Sequence, residues 1–196
     1  MFIAITRYRT PDSKDIPHFN TIAPHIDHLL IRTPMAHHES AAFLDALIMS
    51  GFPKEKIIIH SDIPLLEAFA LTAIHFREDD EDAFEYKRKN PGVSVSMSTH
   101  SARSIEAARA AGLDFVMFGH IFESASKKGI PPRAGREVAE ALACDIPVVA
   151  LGGINPRTIH QLPKGFSGIA AISYFMDADP SEIKALRKEW ELLNLM

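Results

Sequence analysis

Imidazole side chains stand at or directly after the ends of short apolar runs at four places in the sequence, His60, His75, His100 and His120. Imidazole titrates near neutral pH, so it can accept or release a proton at little energetic cost. If these positions meet at one surface, together with the cations found beside them, they suit an anionic small molecule that undergoes proton transfer.

His120 lies in the segment FGHIFESASKKG, whose second half is too polar to belong to a core. Two interpretations stay open for this residue. It is either a general acid and base, or a histidine that only bonds to a neighbouring carbonyl. For His60, His75 and His100 the favoured interpretation is a supporting position behind the residues that contact the ligand.

A pair of glycines and a serine near the end of the chain predict a phosphate site. Gly152 and Gly153 follow the run PVVAL, and Ser173 follows the run GIAAI at the N-terminus of the final helical segment. Glycine lets the backbone approach an anion closely, and the N–H groups at a helix start point towards it. The alternative is that the two glycines only form a turn whose backbone requires positive φ, without binding an anion.

Three cations are candidates for contact with such an anion. Arg32 ends an apolar run, where a guanidinium is costly to bury without an anionic partner, and this favours a ligand-facing position. Lys127 and Lys128 belong to the loop after His120. They are more typical of a solvated loop than of a binding site, unless that loop folds over the site.

No metal ion is predicted. His37 and His38 are adjacent in the sequence, so they point to different faces of any regular element. The acidic run EDDEDAFE at 78–85 is more typical of a helix N-terminus, where the helix dipole favours carboxylates, than of a magnesium site.

Eight short and nearly continuous apolar runs are the elements that must position these side chains. Such runs are typical of strands buried on both faces of a parallel sheet, and the amphipathic segments between most of them predict surface helices. A chain of 196 residues without a linker then predicts one (β/α)8 barrel over residues 1–196, with a doubly wound open sheet as the alternative. In such a barrel the carboxyl ends of the strands build the ligand site. The predicted strands are 2–6, 27–32, 56–60, 71–76, 93–97, 114–119, 147–152 and 168–173, and the predicted helices are 39–51, 63–70, 101–112, 135–143, 156–162 and 181–193.

Composition argues against several other classes of function. The 21 Lys and Arg against 25 Asp and Glu leave a net charge of −4 and form no basic stripe, so nucleic acid is not an expected ligand. The single cysteine, Cys144, suits a reducing compartment. The sequence begins without a signal-peptide pattern and has no apolar run near the roughly 18 residues of a membrane span, so a cytoplasmic protein without membrane contact is expected.

The segments STHSARSIEAARAAGLDFVMFGHIFESASKKGIPPRAG, PVVALGGINPRTI and GIAAISYF resemble the thiamine phosphate synthase superfamily. Within that superfamily they are similar to the TenI-type thiazole tautomerases. The synthase branch usually has G-P-I-F after the sixth strand, whereas this chain has Gly-His-Ile-Phe at 119–122. A histidine in place of a proline there is a functional change, since it introduces a group that titrates.

The resemblance implies a (β/α)8 barrel, a homodimer, and a cofactor-free 1,3-proton shift. In that reaction a 2-carboxy-thiazolylidene ethyl phosphate becomes the aromatic carboxythiazole phosphate, with His120 as both base and acid. By the same resemblance Lys127 contacts anionic groups of the ligand, and Arg32 lies near the substrate anion. The resemblance implies that the phosphate binds to the backbone around Gly152, Gly153, Ile172 and Ser173.

The chain also departs from the family pattern after the third strand. The synthase branch has an Asn-Asp-Arg turn there, whose Asp binds Mg²⁺, and this chain has His60-Ser61-Asp62 with Ser61 at the metal position. Loss of that ligand counts against Mg²⁺-dependent displacement of pyrophosphate. Two alternatives to a tautomerase stay open: a thiamine phosphate synthase, and an inert barrel that binds a phosphorylated thiazole or has a regulatory role.

Overall fold

The described residues of the computed structural model, 1–124, 127 and 129–195, contain a closed barrel of eight parallel strands. The strands are β1 (Phe2–Ile5), β2 (His28–Ile31), β3 (Ile57–His60), β4 (Ala73–Phe76), β5 (Ser94–Thr99), β6 (Phe115–Gly119), β7 (Val148–Leu151) and β8 (Gly168–Ala171). Each strand pairs with the next along the chain, and β8 pairs with β1. This closure confirms the predicted (β/α)8 barrel and excludes the open sheet.

Helices connect the strands, as right-handed crossovers between parallel strands require. Those in the described residues are α1 (Asp15–Ile22), α2 (His37–Met49), α3 (Ile63–Ala68), α4 (Glu81–Lys89), α5 (Ala102–Ala110), α6 (Gly135–Leu142), α7 (Ser173–Asp177) and α8 (Pro180–Leu195). A 3-10 turn, Ile159–Gln161, takes the place of an α-helix between β7 and β8. Within the described part of the chain, every helix is too short or too polar to cross a bilayer.

The strands are buried on both faces, because alternate residues point into the barrel and towards the helices. Ile3 and Ile5 of β1 and Phe115 and Met117 of β6 belong to a cluster of strand residues that fills the barrel interior. The residues between them, such as Ala4, join a larger cluster that includes the inner faces of the helices. This double burial explains why the apolar runs are continuous rather than alternating.

Two predictions about the helices were wrong. The helix predicted at 156–162 is a turn, because the side chains of Asn155 and Thr158 bond to the backbone at 2.8–3.0 Å and compete with helical hydrogen bonds. Ser173 begins the short helix α7, and the final helix α8 starts only at Pro180. The helix α1 was not predicted, since its sequence DIPHFNTI buries only Phe19 and Ile22.

Packing of α8 against the barrel can be tested with two leucines of that helix. Leu186 is 1% exposed and Leu192 is 53% exposed. We expect Leu186→Ala to lower the free energy of unfolding by about 2–5 kcal/mol, because it leaves a cavity in the core. The matched change Leu192→Ala should cost less than about 0.5 kcal/mol. Denaturant unfolding followed by circular dichroism measures both, and equal losses would contradict the burial of Leu186.

Candidate functional site

The larger cavity of the barrel opens at the carboxyl ends of β5 to β8 and has a volume of about 550 Å³. A cavity of this size suits a small molecule that is largely enclosed. The predicted site residues that line it are His100, His120, Lys127, Gly152, Gly153, Ile172 and Ser173. The fold therefore brings together seven of the predicted residues, from the loops after four neighbouring strands.

His120 is almost buried, at 6% exposure, on the wall of this cavity. Its Nε2 lies 3.0 Å from the carbonyl oxygen of Ile130. A carbonyl only accepts hydrogen bonds, so Nε2 carries the proton and Nδ1 is the basic nitrogen of the neutral ring. The contact with a neighbouring carbonyl, one of the two interpretations of this histidine, is therefore present. A role as general acid and base stays open as well, because the ring keeps one nitrogen for proton transfer.

The glycine pair after β7 packs against the backbone that carries His120. Gly152 has φ +105°, and a Cβ there would lie 2.8 Å from the Cα of His120. Gly153 has φ +67°, and a Cβ there would overlap the Glu123 carbonyl and lie 2.8 Å from the Cβ of Phe122. Glycine is therefore required at both positions by conformation and by close approach. The turn interpretation is sufficient to explain the pair, and phosphate binding stays a prediction.

The other predicted anion contacts lie around the same cavity. Ser173 is the first residue of α7, where the first N–H groups have no acceptor within the helix. Lys127 is exposed and belongs to the loop after β6, and its carbonyl accepts from Ile130 N at 3.0 Å. Its neighbour Lys128 lies outside the described residues.

His75 is fully enclosed in the barrel interior between two serines. Nδ1 lies 2.8 Å from Ser96 Oγ, and Nε2 lies 2.9 Å from Ser98 Oγ. Burial lowers the pKa of His75 to about 3, with contributions from Arg32 and from His60, which is itself protonated only in that acidic range. His75 is therefore neutral at physiological pH. It contacts Ser98, which lines the larger cavity and is not one of the predicted site residues.

A second cavity of about 300 Å³ lies beside β2, β3 and β4 and contains the remaining predicted residues. Arg32 and His60 line it together with Arg77, and the Arg32 guanidinium stacks 4.6 Å from the centre of the Tyr8 ring. Burial and the charges of Arg32 and Arg77 lower the pKa of His60 to about 4. The structure does not bring Arg32 to the cavity that contains His120, because β2 lies across the barrel from β6 and β7.

The loop after β4 contains Glu78, which was predicted to belong to the N-terminus of a helix. The helix α4 begins at Glu81 with Asp80 as its N-cap, so Glu78 precedes the helix rather than starting it. Both oxygens of Glu78 contact His100, at 2.6 Å from the backbone nitrogen and 2.6 Å from Nδ1. No local pattern in the sequence pairs two residues that are 22 positions apart.

The turn after β3 does not offer the carboxylates that a magnesium ion requires. Asp62 caps α3 by accepting from Leu65 N at 2.9 Å, and its other oxygen lies 3.0 Å from Nδ1 of His37. Ser61, at the position of the metal ligand, has only a hydroxyl. Among the described residues, no three His, Cys, Asp or Glu side chains are grouped so as to hold a metal.

The family described as thiamine monophosphate synthase (TMP-TENI) matches residues 41–175. The chain belongs to this family. The thiamine-phosphate synthase of Xanthomonas campestris pv. campestris is 30% identical over 185 residues, which cover 87% of each chain. That of Geobacillus kaustophilus is 31% identical over 127 residues, which are 62% of this chain and 57% of the relative.

A solved structure has the same fold. The thiamine phosphate pyrophosphorylase from Pyrococcus furiosus superposes with a TM-score of 0.78 at 20% identity, over 98% of this chain and 96% of that chain. The matched part of this chain spans 57%, 61% and 64% of the relatives from Geobacillus kaustophilus, Marinobacter nauticus and Listeria welshimeri. These matches confirm the resemblance to the superfamily, and because the relatives are named synthases they do not separate its two branches.

The buried imidazoles of this family member predict a loss of stability in acid. The pKa of His75 is about 3 in the folded protein against 6.5 in an unfolded chain, so between these values the unfolded chain binds a proton that the folded protein does not. The free energy of unfolding should therefore fall with decreasing pH below 6.5, by at most roughly 1.4 kcal/mol per pH unit for each such histidine. His75→Gln should flatten this dependence and the exposed control His38→Gln should not, as measured by urea unfolding at several pH values. An unchanged slope in His75→Gln would contradict the assignment.

The contact between the glycine pair and the loop after β6 can be tested by stability. Gly153→Ala forces a Cβ against Glu123 and Phe122 at positive φ, whereas Gly51→Ala introduces a Cβ at φ +96° with no atom within 4 Å. The control should cost about 1–2 kcal/mol for the backbone conformation alone. We expect Gly153→Ala to cost about 1–3 kcal/mol more, because the loop must move. Equal losses in thermal or denaturant unfolding would show that the close approach does not exist.

Proposed function

We propose that this member of the thiamine monophosphate synthase family is a thiazole tautomerase. Its substrate is the 2-carboxy-thiazolylidene ethyl phosphate, and its product is the aromatic carboxythiazole phosphate. The proposal depends on His120, an almost buried imidazole on the wall of the larger cavity whose Nε2 is anchored to the Ile130 carbonyl.

The size of the larger cavity, together with the glycines, serine and lysine of its lining, supports a ligand of this class, although Glu123, Asp177 and Glu182 also line it. Its volume of about 550 Å³ accommodates a phosphorylated five-membered ring. The phosphate binds beside Gly153 and Ser173, where backbone N–H groups and a helix start favour an anion. Lys127, in the loop at the rim, supplies a positive charge for an anionic group of the substrate.

The reaction needs only the removal and addition of one proton. The C2–H bond of the ring breaks, its electron pair moves through the conjugated C=N and C=C bonds, and a new C–H bond forms at the exocyclic carbon. The two carbons are four bonds apart, so the proton shift is 1,5 rather than 1,3. No oxidant is consumed, and aromaticity supplies the driving force. Nδ1 of His120 accepts the C2 proton, while the Ile130 carbonyl holds the Nε2 proton and stabilises the imidazolium that results.

Thiamine phosphate synthase is the second candidate function, favoured by the names of the relatives and by the second cavity. The guanidiniums of Arg32 and Arg77 give that cavity the charge that a second anionic substrate needs. The synthase reaction also needs Mg²⁺ on the pyrophosphate leaving group. The residues after β3 do not fit that ion. Ser61 supplies no carboxylate, and the two oxygens of Asp62 are bonded to the backbone of α3 and to His37. The tautomerase is therefore the better supported of the two.

Replacement of His120 by Asn tests the proposed proton transfer. Asn keeps a polar group of similar size but does not titrate, so binding should survive while proton transfer fails. We expect His120→Asn to lower kcat by about 10²–10⁴-fold, the usual contribution of acid-base catalysis. Turnover of the thiazolylidene tautomer is followed by the absorbance of the aromatic product, and product affinity by calorimetry. The control is His160→Asn, because His160 is exposed and lies outside both cavities.

Two results would contradict the proposed function. One is a His120→Asn variant that keeps most of its turnover. The other is robust Mg²⁺-dependent formation of thiamine phosphate from the pyrimidine pyrophosphate and thiazole phosphate, with no turnover of the tautomer. Tautomer turnover that is unchanged in EDTA is the expected result.

A further inference from the structure

Glu78 holds His100 in one orientation through several short contacts. The Glu78 Oε2 lies 2.6 Å from Nδ1 of His100, and Oε1 accepts from the backbone nitrogen of His100 at 2.6 Å and from Ser104 Oγ at 2.6 Å. Ser104 is itself fixed at the start of α5 by the N-cap Ser101, at 3.1 Å. The carboxylate therefore connects the loops after β4 and β5 and cannot turn away without breaking three bonds.

The carboxylate is ionised although it is partly buried. Burial opposes ionisation, but the hydrogen bonds donated by Ser104 and His100 outweigh it, and the pKa of Glu78 is lowered from its ordinary value. A carboxylate only accepts hydrogen bonds, so Nδ1 of His100 carries a proton and donates a hydrogen bond to Glu78. The contact fixes the orientation of the ring, as the carboxylate beside the histidine of a catalytic triad does.

His100 and His120 both line the larger cavity, whereas Glu78 does not. Because Glu78 binds Nδ1 of His100, Nε2 is the nitrogen of that ring that is left for proton transfer. The two histidines also follow neighbouring strands, since Thr99 of β5 pairs with Phe118 of β6. Adjacent strands lie about 4.8 Å apart, so His100 and His120 leave the barrel side by side. His100 has a side-chain exposure of 42%, which gives it exchange with water.

We propose that Glu78 and His100 form a second proton-transfer pair in this site, so that two imidazoles divide the two steps of the tautomerisation. This inference rests on the proposed function. His120 takes the proton from ring C2, and the imidazolium of His100 donates a proton to the exocyclic carbon as the electron pair arrives there. One C–H bond breaks and one forms. Exchange with water then returns a proton to His100 and removes one from His120. Glu78 is a positioning residue that acts through His100.

Three variants test the pair: Glu78→Gln, His100→Asn and the double variant. We expect His100→Asn to lower kcat by about 10²–10⁴-fold with little change in KM. Glu78→Gln keeps the shape of the side chain but removes its charge, so kcat should fall less. The double variant should lose no more than His100→Asn alone, because Glu78 acts only through His100. Glu85→Gln is the matched control, because Glu85 is an exposed glutamate on α4.

The source of the new hydrogen provides a test that a merely structural role would not affect. With a substrate that carries deuterium at C2, two separate imidazoles give a product whose new C–H hydrogen comes from water. Deuterium recovered at the exocyclic carbon would show that one residue carried the proton across, and would overturn the pair. Equal unfolding midpoints for all variants exclude a loss caused by misfolding.

The outcomes separate this inference from the function on which it rests. If the unaltered protein turns over the tautomer and His120→Asn does not, the proposed function stands whatever the other variants do. Unchanged kcat in both Glu78→Gln and His100→Asn then overturns the pair alone. Absence of turnover by the unaltered protein overturns both.

Discussion

The close contact between the loops after β6 and β7 determines the position of His120, the side chain on which the proposed function depends. The β6–β7 pairing continues beyond the strands, with Ile121 N bonded to Leu151 O at 2.9 Å and Phe122 N to Gly152 O at 3.1 Å. This continuation requires glycine at the start of the loop after β7, because a Cβ at Gly152 would lie 2.8 Å from the Cα of His120. The backbone of His120 is thereby fixed by the barrel itself rather than by a flexible connection. Such positioning on rigid elements is what proton transfer over a short distance needs.

The mouth of the barrel is divided into two regions of different chemistry. One region, after β5 to β8, contains imidazoles, three serines, a lysine, three carboxylates and glycine backbone. The other, after β2 to β4, contains two guanidiniums and a histidine whose pKa of about 4 keeps it neutral at physiological pH. The ring centre of His60, in the second region, lies 6.0 Å from that of His75, which is buried in the barrel interior. Because neither imidazole is charged near neutral pH, the positive charge of the second region is carried by Arg32 and Arg77 without further repulsion.

The sequence was sufficient to predict the fold, because strands that are buried on both faces leave continuous apolar runs. It was less informative for elements that depend on tertiary contacts. The short helix α1 buries only two side chains, so its amphipathic pattern is weak. The failed helix at 156–162 has apolar residues at suitable spacing, yet local bonds from Asn155 and Thr158 favour a turn. Spacing alone does not report that competition.

For the site, predicted residues meet at one cavity where the motif that contains them spans one or two neighbouring loops. His120 and Gly153 line one cavity for this reason. Arg32 does not, because β2 lies four strands away from β6, on the opposite side of the barrel mouth. Glu78 was missed because its partner belongs to another loop, and an acidic residue near a helix start has a simpler explanation.

The two serines that enclose His75 give the wall of the larger cavity a reversible polarity. A neutral imidazole has one N–H group and one bare nitrogen, so it donates to one serine and accepts from the other. When Nε2 carries the proton, it donates a hydrogen bond to Ser98 Oγ. The hydroxyl hydrogen of Ser98 is then free to point towards a ligand. When Nδ1 carries the proton, Ser98 must donate to the ring and offers only lone pairs. Moving one proton between the nitrogens of a buried ring thus changes this wall from a donor to an acceptor, without any change in charge.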